Sequence, residues 1–155
     1  LRGLPYAFAG HFAPRLYREA LKVYRDHFRP SEQLQRPHAM LCLPAAPADS
    51  LDEAQYLTTT SYQRILALFR GQPLWMKPPV ESMDGLWSPA EEAGVRDFLS
   101  LQLLGDADNI RQRLEQILAT VEVDEFTVDL YDPARRRHAL DILAEVRDSL
   151  QDAPE

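Results

Sequence analysis

The sequence predicts an α/β fold in which parallel strands alternate with helices. Three observations carry that expectation: apolar runs of strand length at 4–10, 39–43 and 125–131, helical apolar periodicity between them, and serine capping boxes that open two of the helices. The helical segments are long enough to serve as the crossovers that a parallel sheet requires. At 155 residues and 45% apolar content, the chain has the size and composition for one domain with its own core. It contains no internal repeat and no linker that would divide it. A sheet of three or four such strands still leaves its outer edges unpaired, so something beyond these strands is expected to cover them.

The first run follows what reads as the end of a helix at Leu1 and Arg2, because Gly3 suits the left-handed position after a helix and Pro5 stops one from resuming. Leu4 to Gly10 is apolar on both faces, the pattern of a strand covered on both sides, and Pro5 is tolerated at its start. Pro14 suits the first turn of a helix in which Leu16, Ala20, Val23, Tyr24 and Phe28 recur at helical spacing. Ala39 to Leu43, bounded by Pro37 and Pro44, is too short for a helix and reads as a second buried strand. Ser50 and Glu53 form a capping box for a helix that runs to about Arg70, ahead of Gly71.

Residues 71–87, "GQPLWMKPPVESMDGLW", change character, with Pro73, Pro78, Pro79, two glycines and both tryptophans in one stretch. An irregular segment of this length inside a domain often has a function. Order resumes at Ser88, which caps a helix with Pro89 at its first position and Glu91 completing the box; it extends to about Ser100. Leu101 to Gly105 reads as a short extended piece. Asp106 then caps a helix with Ile110, Leu114, Ile117 and Leu118 as its apolar stripe. Glu125 to Tyr131 is the third strand, with Phe126, Val128 and Leu130 on one side, and Asp132-Pro133 opens a last helix facing inward through Leu140, Leu143 and Val146.

Seventeen Lys and Arg against 24 Asp and Glu give a formal charge of -7, which repels nucleic acid and anionic lipid, so neither is an expected partner. No stretch approaches the roughly 20 apolar residues of a membrane span, and no signal-peptide pattern is present, so a cytoplasmic protein is expected. The single cysteine, Cys42, lies in the apolar run "AMLCLP" and is expected to be buried and inert. The histidines at 11, 27, 38 and 138 show no short-spaced ligand pair, so no metal site is expected. Phosphate-loop, dinucleotide-glycine and serine-elbow patterns are absent from the sequence. The basic cluster "ARRRHAL" reads as solvated charge on the last helix.

Five segments carry a resemblance when taken in order: "GLPYAFAGHFAP", "YRDHFRPSEQLQRPHAML", "LWSPAEE", "LLGDADNIRQRLEQIL" and "VDEFTVDLYDPARRRHALDILAEV". Together they resemble the C-terminal half of bacterial luciferase-like, flavin-dependent monooxygenases, over essentially the whole chain. The resemblance implies an incomplete (β/α)8 TIM barrel, with 4–10, 39–43 and 125–131 as strands six, seven and eight. It implies that 71–87 is an insertion over the active-site mouth. It further implies an oxidoreductase that uses reduced FMN and O2 to oxygenate a small organic substrate, with most flavin contacts in the half outside this chain. The fragment alone is expected to be inactive, because such a barrel needs about 250 residues. One departure is Gly105-Asp106-Ala107-Asp108, which lacks a proline that relatives often carry and adds two negative charges, weakening any phosphate role at that turn.

The C-terminal rim of the strands is where such barrels place their chemistry. Phe8, Ala9, Gly10 and His11 are therefore the expected flavin- or substrate-lining residues, since small residues at a strand end let a planar ring approach the backbone. His11 is the candidate proton donor or acceptor, as an imidazole suits that work near neutral pH. The competing expectation is close packing at Ala9 and Gly10 and an ordinary loop histidine. Trp75, Lys77 and Trp87 are expected to form a lid, or the tryptophans to anchor the long loop. Tyr131 and Asp132 end strand eight at the same rim, although capping alone explains Asp132. The alternative function is a non-catalytic module that hides its open sheet edges in a homodimer or against a partner chain.

Overall fold

The fold is taken from a computed structural model that describes residues 3–130, 132 and 134–151. Leu1, Arg2, Tyr131 and Pro133, each assigned a place from sequence above, lie outside the described residues. The elements run β1 (Tyr6–Ala9), α1 (Tyr17–Asp26), β2 (Ala39–Pro47), α2 (Leu51–Phe69), α3 (Pro89–Phe98), β3 (Leu103–Gly105), α4 (Ala107–Leu118), β4 (Glu125–Leu130) and α5 (Arg136–Gln151). Strands alternate with helices as expected, and every strand pair is parallel. Among the described residues no helix is long and apolar enough to cross a membrane.

β2 is the axis of an open sheet. β4 runs along one edge from Met40↔Glu125 to Ala45↔Leu130. The other edge is shared: β1 occupies 39–42 and β3 occupies 45–47. This division explains why β2 continues through Pro44 to Pro47, where the prolines had suggested an end at Leu43. Pro44 falls at the seam between β1 and β3, so on that edge no ladder bond is lost for want of its N–H.

Among the described residues, α1, α4 and α5 build the main core on one face of the sheet. Tyr6, Phe8, Leu41, Leu43, Leu103, Phe126 and Val128 pack with Tyr17, Leu21, Tyr24, Ile110, Leu114, Ile117, Ile142 and Val146 in one core. The alternate positions point the other way, because strand side chains change face at each residue. There Ala7, Ala9, Glu125 and Thr127 are exposed and Met40 and Cys42 are half-buried, whereas Pro44, further along β2, is fully buried. The expectation that the first strand is covered on both sides is thus not met among the described residues: its apolar residues on the second face, Ala7 and Ala9, are exposed.

In two helices the inward stripe is rotated from the one their spacing suggested: Tyr24 and Phe28 of the first stripe and Leu143 and Val146 of the second pack on the core, but other members do not. In α1 the buried residues are Tyr17, Leu21 and Tyr24, while Leu16 and Val23 are 56% and 50% exposed. In α5 Ala139, Ile142 and Val146 are buried and Leu140 is 50% exposed. Both alternatives have helical periodicity, and only the direction of the sheet chooses between them. The capping sites hold better. Ser88 and Glu91 form the reciprocal box, and Ser50 accepts from the Glu53 amide, but the Glu53 carboxylate takes the Asp49 amide at 3.1 Å in place of that of Ser50. α2 ends at Gly71, whose φ of +63° supplies the left-handed residue that closes a helix.

Candidate functional site

The C-terminal ends of β1, β2 and β4 lie on one side of the sheet because all three are parallel. At the end of β1 the four expected lining residues separate. Phe8 faces the helices and packs on the core, whereas Ala9 lies exposed on the bare face. Gly10 is buried where β2 passes: a β-carbon there would stand 2.7 Å from the Cys42 carbonyl oxygen and 3.1 Å from Leu41 Cδ1. Close packing is therefore a sufficient reason for a glycine at that position. His11 follows in a turn, its ring 4.3 Å from that of Phe12, and its Nδ1 is buried without a hydrogen-bond partner among the described residues. Such an orphaned polar atom is uncommon in native folds and calls for a partner.

A cavity of about 290 Å³ opens beside the ends of β2 and β4. Ala45, Ala46 and Leu130 form its strand wall, Leu57 and Thr60 of α2 another, and residues 76–79 a third; Asp132, Arg135 and Ala139 complete it. The irregular segment is strapped along α2. Thr60 Oγ1 donates to the Lys77 carbonyl, Gln63 Nε2 to the Pro78 carbonyl, and the Val80 amide to Thr59 Oγ1, each at 2.9 Å. Side chains of α2 can serve these carbonyls because a Pro-rich stretch makes few backbone bonds of its own.

The three lid candidates also part company. Lys77 lines the cavity. Trp75 is 73% exposed. Trp87 belongs to a small second core with Met83 and Val95, its ring 5.5 Å from Tyr62 and beneath the Arg96 guanidinium at 5.6 Å. It anchors the end of the segment to α2 and α3.

Sequence reasoning passed over Arg135, the first arginine of the basic cluster. Its Nη2 lies 2.6 Å from Glu53 Oε1, which ties the start of α5 to the first turn of α2, and its Nε is buried with no acceptor among the described residues. The available signal was position: Arg135 stands just beyond Asp132 at the strand rim, ahead of the helix that its neighbours Arg136 and Arg137 begin. Asp132 itself accepts from the Ala134 amide at 2.9 Å, a local turn in front of α5. On the bare face burial pushes the Cys42 thiol upward; the nearby Asp129 carboxylate adds to this, and a hydrogen bond with Thr127 opposes it. The thiol is thus kept from the reactive thiolate form.

No protein-family model matches the chain. Over 150 residues it is 39% identical to the luciferase-like monooxygenase of Escherichia coli strain K12, a match that spans 96% of this chain and 45% of that protein. The chain is homologous to the C-terminal half of luciferase-like monooxygenases. The uncharacterized protein YvbT of Bacillus subtilis strain 168 is 42% identical over 146 residues, covering 93% of this chain and 44% of its own. In fold, apo-MsnO8 matches with a TM-score of 0.74 at 23% identity, over 99% of this chain and 46% of that structure. The chain therefore spans a little under half the length of these relatives. The parallel sheet, alternating with helices and not closed, is consistent with part of a barrel, as is the match to 46% of that structure.

Proposed function

We propose that the chain supplies strands six to eight of a flavin-dependent monooxygenase barrel, as one unit over residues 1–155 with 71–87 as its lid insertion. The observation that carries this reading is the sheet itself, whose second face lies exposed at β1 and the start of β4. Its bare face bears Ala7, Ala9 and Thr127, residues too small or polar for an outer surface that another layer of helices would cover, and suited to the interior of a barrel closed by further strands.

The described residues fit the ring end of FMN better than its phosphate end. Exposed Ala9 leaves room for a planar ring beside the backbone, and the unpartnered His11 Nδ1 can meet a polar edge of it. His11 would orient the ring and hold or pass a proton through Nδ1. At the Gly105 turn Asp106 Oδ1 already takes the Asn109 amide, and Asp108 adds a second carboxylate, so phosphate is not favoured there. The phosphate grip is assigned to the remaining half. Met76, Pro78 and Pro79, held above the rim by α2, would exclude water from the reacting groups. Reduced flavin, when bound, supplies the electrons with which O2 is activated to oxidise a small organic substrate. The chain by itself is below the size of a closed barrel and is expected not to turn over. A cytoplasmic setting accords with this chemistry.

Titration of FMN with the purified chain, followed by flavin fluorescence, tests the proposal. Saturable quenching that His11→Ala weakens supports it. A second reading, a non-catalytic module that self-associates, draws on the outer edges of β1 and β4, each of which pairs only with β2 among the described residues. No flavin binding, together with a concentration-dependent dimer in sedimentation, would favour that reading over the first.

A further inference from the structure

We infer that the pocket between the start of α1 and the second half of α4 binds a phosphate group, free or carried by a small molecule, between Arg18 and Arg113. The pocket has a volume of about 370 Å³, and Arg15, Arg18, Ser100, Arg113 and Gln116 line it together with apolar residues. The chain as a whole carries a charge of -7, yet this pocket is lined by three arginines and, among the described residues, by no carboxylate. Arg15 is met by Asp97 at 2.9 Å. Arg18 and Arg113 are held by uncharged acceptors instead. Arg18 Nε donates to the Tyr17 hydroxyl at 2.9 Å, with the guanidinium carbon 5.4 Å from the centre of the same ring. Arg113 Nη2 donates to the Ser100 carbonyl at 2.7 Å and its Nη1 to Gln116 Oε1 at 3.0 Å.

Neutral acceptors orient the two guanidinium groups without cancelling their charge. Two like charges lining one pocket repel each other, and an anion between them turns that repulsion into attraction. Because the donors are oriented beforehand, less ordering is needed when the anion arrives. A phosphate suits the place better than a carboxylate, since its oxygens can meet guanidinium groups on two different helices. The negative charge of the chain as a whole disfavours a long polyanion such as nucleic acid, which leaves a small phosphate. Arg111, on the same helix as Arg113, makes the contrast: Asp108 at 2.9 Å and Glu115 at 3.1 Å already engage it. α1 and α4 pack on the core face of the sheet, opposite the face that bears Ala9, so the inference does not rest on the flavin reading.

The test is titration of the chain with inorganic phosphate and with glycerol phosphate, followed by amide NMR shifts. Ionic strength is held low and constant, because salt screens exposed charges. Inorganic phosphate is expected to bind saturably, with the shifts gathered at residues 15–18, 100 and 113–116. Arg18→Gln and Arg113→Gln should each weaken it about tenfold, the scale of one hydrogen bond to a charged group. Arg111→Gln should leave it unchanged. The two pocket arginines stand on different helices, so either variant decides the matter if the other does not fold. Binding of glycerol phosphate at the same residues assigns a phosphate monoester, and binding of inorganic phosphate alone assigns the free ion. No saturable shift, shifts gathered elsewhere, indifference to both Arg18→Gln and Arg113→Gln, or an equal loss with Arg111→Gln would overturn the inference.

Discussion

Gly10 and Cys42 meet backbone to backbone: the place of a Gly10 β-carbon is 2.7 Å from the Cys42 carbonyl oxygen. The turn that carries His11 is therefore seated on the middle of β2 through a residue that has no side chain. Gly10→Ala is expected to force the two strands apart and to cost about 1–3 kcal/mol, the usual range for overpacking. Urea denaturation of the variant checks this, and unchanged stability would mean that the strands do not approach as described.

The inward face of α1 can be tested by pairing two leucines. Leu21 is 0% exposed in the core, and Leu16 is 56% exposed. Leu21→Ala should lose about 2–5 kcal/mol, the range for a cavity left by a buried leucine. Leu16→Ala should change stability by no more than about 0.5 kcal/mol. Denaturation midpoints that reverse this order would restore the stripe suggested by periodicity.

Glu91 gives the chain a defined acid dependence. Hydrogen bonds from Arg70, then from the Ser88 amide and hydroxyl, lower its pKa from the ordinary 4.5 to about 2. Because the folded value is the depressed one, the stabilisation is full above the unfolded pKa near 4.5 and disappears as pH falls through about 2. Glu91→Gln is accordingly expected to lower Tm at pH 6 and to converge on the parent curve near pH 2. A constant Tm difference across that window would show that the carboxylate charge is not the source.

Cys42 reports on the bare face of the sheet. Burial holds its thiol above the ordinary value, so alkylation by iodoacetamide at pH 7 should be slow in the folded chain and speed up on denaturation. If the remaining strands of a barrel cover this face, a longer chain that carries them should protect Cys42 further. Equal labelling in both, measured by mass spectrometry, would argue that the face stays open.

Alternation of strands and helices, both helix-opening serines, the Asp106 cap and the irregular 71–87 segment were all legible from the residues, because each depends on local chemistry within a few positions. So was the likeness to one half of a luciferase-like protein, which rests on segments in order along the chain. Other features required the sheet. How far the inward stripes of α1 and α5 are rotated, so that Leu16, Val23 and Leu140 are left outside, depends on where the strands lie. That Phe8 and Ala9 look in opposite directions follows from the pleat, and their use depends on which face the helices cover. The extension of β2 through Pro44 depends on two different strands sharing one edge, and no reading of a single segment can supply that neighbour. Arg135 looked like solvated charge because its partner, Glu53, is distant in sequence and comes beside it only when α2 and the start of α5 meet at the rim. Local propensities thus specified the elements, while contacts between residues far apart in the chain decided which of their surfaces became core, rim or open face.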